Sequence, residues 1–155
     1  AHAVGVSSGT DALQIAMMAE GVGPGDAVFL PAFTYTATAE VPLVLGATPV
    51  FVDVDPATFN IDIADLEARI AAVKKDGRLK PRAVVGVDLF GLPADWTAIE
   101  AICAREGMFA LDDAAQAFGD GALVCALPRK RAEDSSSASP PTKDRFTSVA
   151  TRRPM

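Results

Sequence analysis

Cysteine and histidine are nearly missing from this chain, and their scarcity narrows its chemistry at once. Only Cys103 and Cys125 carry thiols among 155 residues, too few and too unpatterned for a disulfide framework or a metal site. The one histidine, His2, stands at the chain start and takes no role. No apolar run reaches membrane-spanning length: Val41 to Val52, the most apolar stretch, is punctuated by Pro42, Gly46 and Pro49. Neither a basic start nor an initiator Met precedes Ala1-His2-Ala3-Val4. No secretory signal is therefore visible, and a reducing cytoplasm is the expected compartment. Because the chain opens inside a strand-like segment, it reads as a fragment.

Basic charge is also scarce, except at one end. Residues 1–125 hold 7 Lys/Arg against 17 Asp/Glu, whereas residues 126–155 hold 7 against 3. An acidic body excludes nucleic acid as the main partner. Half the residues are apolar, enough for the core of one domain or part of one.

What the body does contain is alternation. Val4-Gly5-Val6 reads as a strand entering Ser7-Ser8-Gly9-Thr10-Asp11, after which Leu13, Ala16 and Met17 recur at helical spacing up to Gly21–Gly25. Strands are expected at Ala27–Leu30, Thr48–Val52, Ala83–Val87 and in the apolar run Gly107–Leu111. Helices are expected at Thr34–Leu45, bent or restarted by Pro42, after Asp62 and after Asp95. Alternating strands and helices mean an α/β fold with a mainly parallel, doubly wound sheet and flanking helices. From about Asp120 the period fails, with Ala122–Leu127 at most one more strand. The chain thus divides into a patterned unit, 1–121, and a basic Ser/Pro/Arg-rich tail, 122–155, expected to be disordered.

Candidate chemistry falls at the expected C-terminal strand ends, where open α/β sheets bind ligands. Asp112 and Asp113 close the last patterned strand as adjacent carboxylates, costly unless one is neutralised or meets a cation. Ser8-Gly9-Thr10 joins a strand to a helix N-terminus, which suits an anion but equally suits ordinary capping. Tyr35 has a ring able to cover a flat ligand, although by themselves it and Phe33 read as core, as does Trp96. Asp88 is either a turn cap or a site residue.

Taken together, five stretches resemble the DegT/DnrJ/StrS-type sugar aminotransferases, from residue 1 to about Gly119. They are Val6–Leu13, Pro31–Thr38, Gly46–Asp53, Val87–Asp95 and Asp112-Asp113-Ala114-Ala115-Gln116. The resemblance implies part of the large domain of the aspartate-aminotransferase fold (fold type I) with pyridoxal 5′-phosphate as cofactor. It implies that Gly9 and Thr10 hold the phosphate, Tyr35 stacks on the ring, Asp113 pairs with the ring nitrogen and Gln116 lies by the phenolic oxygen. Asp88 stands where many relatives have His. The implied partners are a nucleotide-linked keto sugar and an amino-acid donor such as glutamate, in a homodimer with no membrane or nucleic acid.

The resemblance breaks at the C-terminus. A family lysine forms the Schiff base, and Ser139-Pro140-Pro141-Thr142-Lys143 offers Lys143 for it without the family's flanking sequence. The stretch after about Gly119 therefore reads as partly out of frame, or Lys143 as a solvated tail lysine, and the chain as inactive by itself. Two other readings are a pyridoxal-phosphate sugar dehydratase relative, which would place His at that position, and a non-catalytic flavodoxin-like nucleotide-binding module.

Overall fold

Strand β2 (Asp26–Pro31) is the hub of the molecule, buried along Ala27–Pro31 and paired on both sides. The computed structural model describes residues 4–117 and the backbone of the strands Cys125–Leu127 and Val149–Thr151. Its main sheet has five strands in the order β3 (Thr48–Val52), β2, β4 (Lys80–Val87), β5 (Phe109–Asp113) and β6 (Cys125–Leu127). The first four run parallel, and β6 pairs antiparallel with β5. A separate parallel pair joins β1 (Val4–Val6) to β7 (Val149–Thr151). Pro49 is tolerated because β3 is the outer strand. Pro81 sits where β4 carries an extra residue: Ala27 pairs with Pro81 and Val28 with Ala83, a bulge that absorbs the missing N–H.

Alternation along each strand divides the core in two. Val28, Leu30, Ala83, Val85, Phe109 and Leu111 pack with Leu13 and Met17 of helix α1 (Gly9–Ala19) and Val41 of α2 (Ala37–Val44). Their neighbours Ala27, Phe29, Val84 and Ala110 pack with Leu66 and Ile70 of α3 (Ile63–Asp76) and Ile99 and Ile102 of α4 (Trp96–Glu106). Each of the Val, Leu, Ile, Phe and Met side chains among these contributes about 1.5–3 kcal/mol on burial. Trp96, half-buried rather than core, lies across Gly86: a Cβ there would stand 2.5 Å from the indole.

Capping chemistry sets the helix starts. Ser8, Asp62 and Asp95 accept from the N–H groups of Asp11, Asp65 and Ala98. Helix α2 departs from expectation. It begins at Ala37, because Thr34–Thr36 form a turn closed by Thr38 N–H to Tyr35 O and Glu40 N–H to Thr36 O. Pro42 sits inside it without ending it.

From β2 the chain crosses outward to β3, then returns past β2 to β4 and continues to β5. The carboxyl ends of β2 and β4 therefore diverge, which opens the crevice that such sheets use for ligands.

Candidate functional site

A cavity of about 250 Å³ opens at that crevice, and its lining includes Gly9, Thr10, Tyr35, Asp113 and Gln116. Four segments distant in sequence thus meet at one edge: the first turn of α1, the loop after β2, the end of β4 and the end of β5. Gly9 and Thr10 form the first turn of α1, whose N–H groups have no intrahelical acceptor and whose dipole favours an anion. A Cβ built on Gly9 would meet nothing within 4 Å, so the approach to this helix end is open.

Asp113 is the buried charge of the cavity, 7% exposed. The strand runs through it, since Val87 pairs with Asp113 and Gly86 with Asp112. Its Oδ2 accepts from the Thr38 hydroxyl at 3.2 Å, and its Oδ1 from the Ala115 N–H at 3.4 Å. As Thr38 donates to Asp113, it accepts in turn from Thr34, 3.2 Å away. Burial raises the Asp113 pKa, the Ala115 and Thr38 bonds pull it down, and the Asp88 charge pushes it up. Nothing cationic meets Asp113 among the described residues.

Asp112 points to the other face. Its side chain shares the α3–α4 side with Gly86 and Trp96, by the period of two along β5. There its Oδ1 is buried without a hydrogen-bond partner. Desolvation, then the Asp88 and Asp113 charges, raise its pKa to about 7. Asp88 proves to be a turn-fastening residue: its Oδ1 accepts from Ala94 N–H at 2.9 Å and Trp96 Nε1 at 3.0 Å.

Gln116 is exposed and accepts at Oε1 from the Phe90 N–H, 2.7 Å away. Tyr35 is 73% exposed and Phe33 51%, so neither is core. Phe33 instead contacts Phe59 at 5.5 Å between ring centroids, and Phe59 meets Phe90 edge-on at 6.0 Å. Lys143 lies outside the described residues, as does most of the tail.

Two other features carry no site. A groove of about 480 Å³ between α3 and α4 is lined by Glu67, Lys74, Arg105 and Glu106. Those charges already satisfy one another, Lys74 to Glu106 at 2.7 Å and Arg105 to Glu67 at 2.8 Å. The buried Cys103 thiol, pushed up to about 12 chiefly by desolvation, is inert. No cluster able to hold a metal ion occurs among the described residues, and no helix there is long and apolar enough to cross a membrane.

Sequence reasoning had no role for Thr38 or Phe90. Thr38 is one of three threonines at every second position, Thr34, Thr36 and Thr38, and nothing in residue type sets it apart from the other two. Phe90 acts through its backbone, which leaves no mark on residue type.

Residues 1–124 match the DegT/DnrJ/EryC1/StrS aminotransferase family. The chain is 48% identical over 118 residues to the UDP-2-acetamido-2-deoxy-3-oxo-D-glucuronate aminotransferase of Pseudomonas aeruginosa, covering 76% of this chain and 31% of that one. A crystal structure of a DegT DnrJ EryC1 StrS aminotransferase from Brucella abortus superposes with a TM-score of 0.73 at 54% identity, over 76% of this chain and 34% of that one. NtdA from Bacillus subtilis, solved with bound cofactor PMP, gives 0.65 at 35% identity over 73% and 24%. The chain thus spans about a third of the length of the curated relative. It belongs to the DegT/DnrJ/EryC1/StrS aminotransferase family, which sets aside the flavodoxin-like module.

Proposed function

We propose that this member of the family provides the cofactor-binding edge of a pyridoxal-phosphate-dependent aminotransferase acting on a nucleotide-linked keto sugar, with glutamate as amino donor. The observation that carries this reading is the convergence of Gly9, Thr10, Tyr35, Asp113 and Gln116 on one cavity. The residues fit the group. The open first turn of α1 takes the phosphate, as helix N-termini do. The buried Asp113 carboxylate, aimed by Thr38 and Ala115, would meet the ring nitrogen and hold its proton there. Tyr35 would cover the ring face and Gln116 would stand at its edge, both residues lining the cavity. When bound, the cofactor supplies the electron sink that transamination requires.

Lys143 is the lysine this reading assigns to hold the cofactor's aldehyde. The large-domain unit is taken as residues 1–121, with 122–155 as a separate basic segment. Because Lys143 lacks the family's flanking sequence, turnover by this chain is expected to be undetectable. A homodimer in the cytoplasm remains the expected setting of the working enzyme.

Titrating the isotope-labelled chain with pyridoxal phosphate tests the site. Amide shifts are expected at Gly9, Thr10, Tyr35 and Ala115, competed by inorganic phosphate at the first two and lost in Asp113→Ala. Shifts confined to the α3–α4 groove, or none, would overturn the reading. In the enzyme with the frame around Lys143 restored, borohydride reduction followed by peptide mapping should label Lys143, and a label elsewhere reassigns the lysine.

A further inference from the structure

The ends of β4 and β5 bring three carboxyl groups together, and two of them share the side of the sheet away from the cavity. Gly86 pairs with Asp112 and Val87 with Asp113, and the Asp88 N–H continues the ladder to Asp113 O at 3.2 Å. The Asp88 side chain reaches the Asp112 side, since it bonds Trp96, the ring that lies across Gly86.

These two carboxyl groups are supplied very unequally. Asp88 Oδ1 accepts from Ala94 N–H at 2.9 Å and from Trp96 Nε1 at 3.0 Å. Asp112 Oδ1 is buried, and no donor among the described residues reaches it. An ionised oxygen there has lost its water without gaining a hydrogen bond, which favours the protonated acid. The charges that act on Asp112 are both negative: Asp88 from the end of β4 and, less strongly, Asp113 from its own strand. Helix α4 brings only the neutral indole of Trp96, Cys125 of β6 lies opposite Asp112 in the ladder, and no ion pair reaches either carboxyl group among the described residues.

Asp88 also holds a turn that extends to the cavity wall. By closing on Ala94 and Trp96 it fixes the base of the loop that carries Phe90. Phe90 has φ 56° and ψ 17°, a conformation that persists only when its surroundings impose it. Its N–H donates to Gln116 Oε1 at 2.7 Å, and Gln116 lines the cavity.

We propose that Asp112 and Asp88 form a proton-operated latch: while Asp112 is neutral the Asp88 turn is closed on Ala94 and Trp96, and loss of that proton loosens the turn and the cavity wall at Gln116. Only a proton moves, between the Asp112 carboxyl group and solvent. Both residues act through the Phe90 backbone and are positioning residues. The latch belongs to the chain without any ligand, so it does not rest on the cofactor reading above. Its direction follows from the environment of Asp112, where burial and the two like charges raise the pKa from 3.8 to about 7. Opening the turn admits water and separates the charges, so the open form releases its proton more readily. The latch is therefore tightest below about pH 4 and loosens as pH rises through about 7.

Hydrogen exchange at the Ala94 amide and the Trp96 indole, divided by the intrinsic rate, reads the latch directly. Between pH 5 and pH 8 protection there should fall about tenfold or more, and by more than at the Phe29 amide of β2, which reports global opening. Asp112→Asn, neutral at every pH, should keep the local protection at its low-pH level. Asp88→Asn gives an independent reading if that variant does not fold, because it removes the charge and retains the Oδ1 acceptor. In it the Asp112 midpoint, followed by carboxyl carbon NMR, should drop by about one unit, the effect of removing one nearby like charge. The Gln116 side-chain amide resonance should titrate with Asp112 in wild type and lose that step in Asp112→Asn. A wild-type Asp112 midpoint near 3.8, an equal loss of protection at Phe29, or an unmoved midpoint in Asp88→Asn would each overturn the latch. A Gln116 resonance without that step would overturn its reach to the cavity.

Discussion

Asp112 and Asp113 are covalent neighbours, yet they live on opposite sides of the sheet under opposite conditions. On the α1–α2 side, Asp113 receives two hydrogen bonds and faces a cavity. On the α3–α4 side, Asp112 has a buried oxygen without a partner and lies near the Asp88 charge. One strand period of two residues produces this split. A doubled carboxylate at a strand end is therefore not a doubled site: one charge is presented and the other withdrawn.

The comparison breaks most severely through the closed side. Trp96→Ala removes the ring that covers Gly86 and one of the two donors on Asp88. It should cost about 2–4 kcal/mol in urea unfolding, below the fully buried range because the indole is half exposed. A loss under about 0.5 kcal/mol, the scale of a surface change, would show that the closed side is not packed as described.

Acidity sharpens the contrast next. Asp112 keeps its proton to about 7 in the fold against an ordinary 3.8. Between these values the folded chain binds more protons than the unfolded one, so stability falls as pH rises from about 4 to about 7. Asp112→Asn should reduce that fall, the rest belonging to Asp113, and gain about 1–2 kcal/mol at pH 8, after discounting for partial exposure. Denaturation midpoints at pH 4.5 and pH 8 check it, and parallel profiles for both proteins would refute it.

A smaller effect belongs to the presented side. Thr38→Val deletes the donor to Asp113 Oδ2, which should cost about 1 kcal/mol. It should also raise the Asp113 pKa, because the lost bond favours the ionised form. Carboxyl carbon NMR against pH should show Asp113 moving and Asp112 nearly still. Smallest of all, Arg105→Ala breaks exposed pairs with Glu67 and Glu106 and should stay within about 0.5 kcal/mol. That variant calibrates the others on the same apparatus.

Sheet, helix order and caps were legible because each leaves a local mark. Asp62 and Asp95 precede amphipathic stretches, and Thr48–Val52 is bounded by Gly46-Ala47 and Asp53. Ending the last strand at Leu111 hid the opposed directions of the two aspartates, since alternation applies only if β5 continues through Asp113. Helix α2 was placed three residues early because its start depends on backbone bonds within Thr34–Glu40, which no residue type announces. Phe33 and Tyr35 read as core from apolarity, but they sit in the loop after β2, where no helix covers them. The five cavity residues were legible only as a family pattern, as convergence of distant segments has no signature in any one of them.

Gly86 and Trp96 constrain what this sequence can become. A methyl group at residue 86 and an indole at residue 96 cannot share the same space without a shift, so substitutions at the two positions should be coupled. Enlarging residue 86 first is blocked, and shrinking residue 96 first opens a void and strips a donor from Asp88. Either single step passes through a weakened intermediate, and only the double replacement restores contact. The coupling should appear as strong non-additivity in a double-mutant cycle. Lineages that lose the glycine should be found to have lost the tryptophan too.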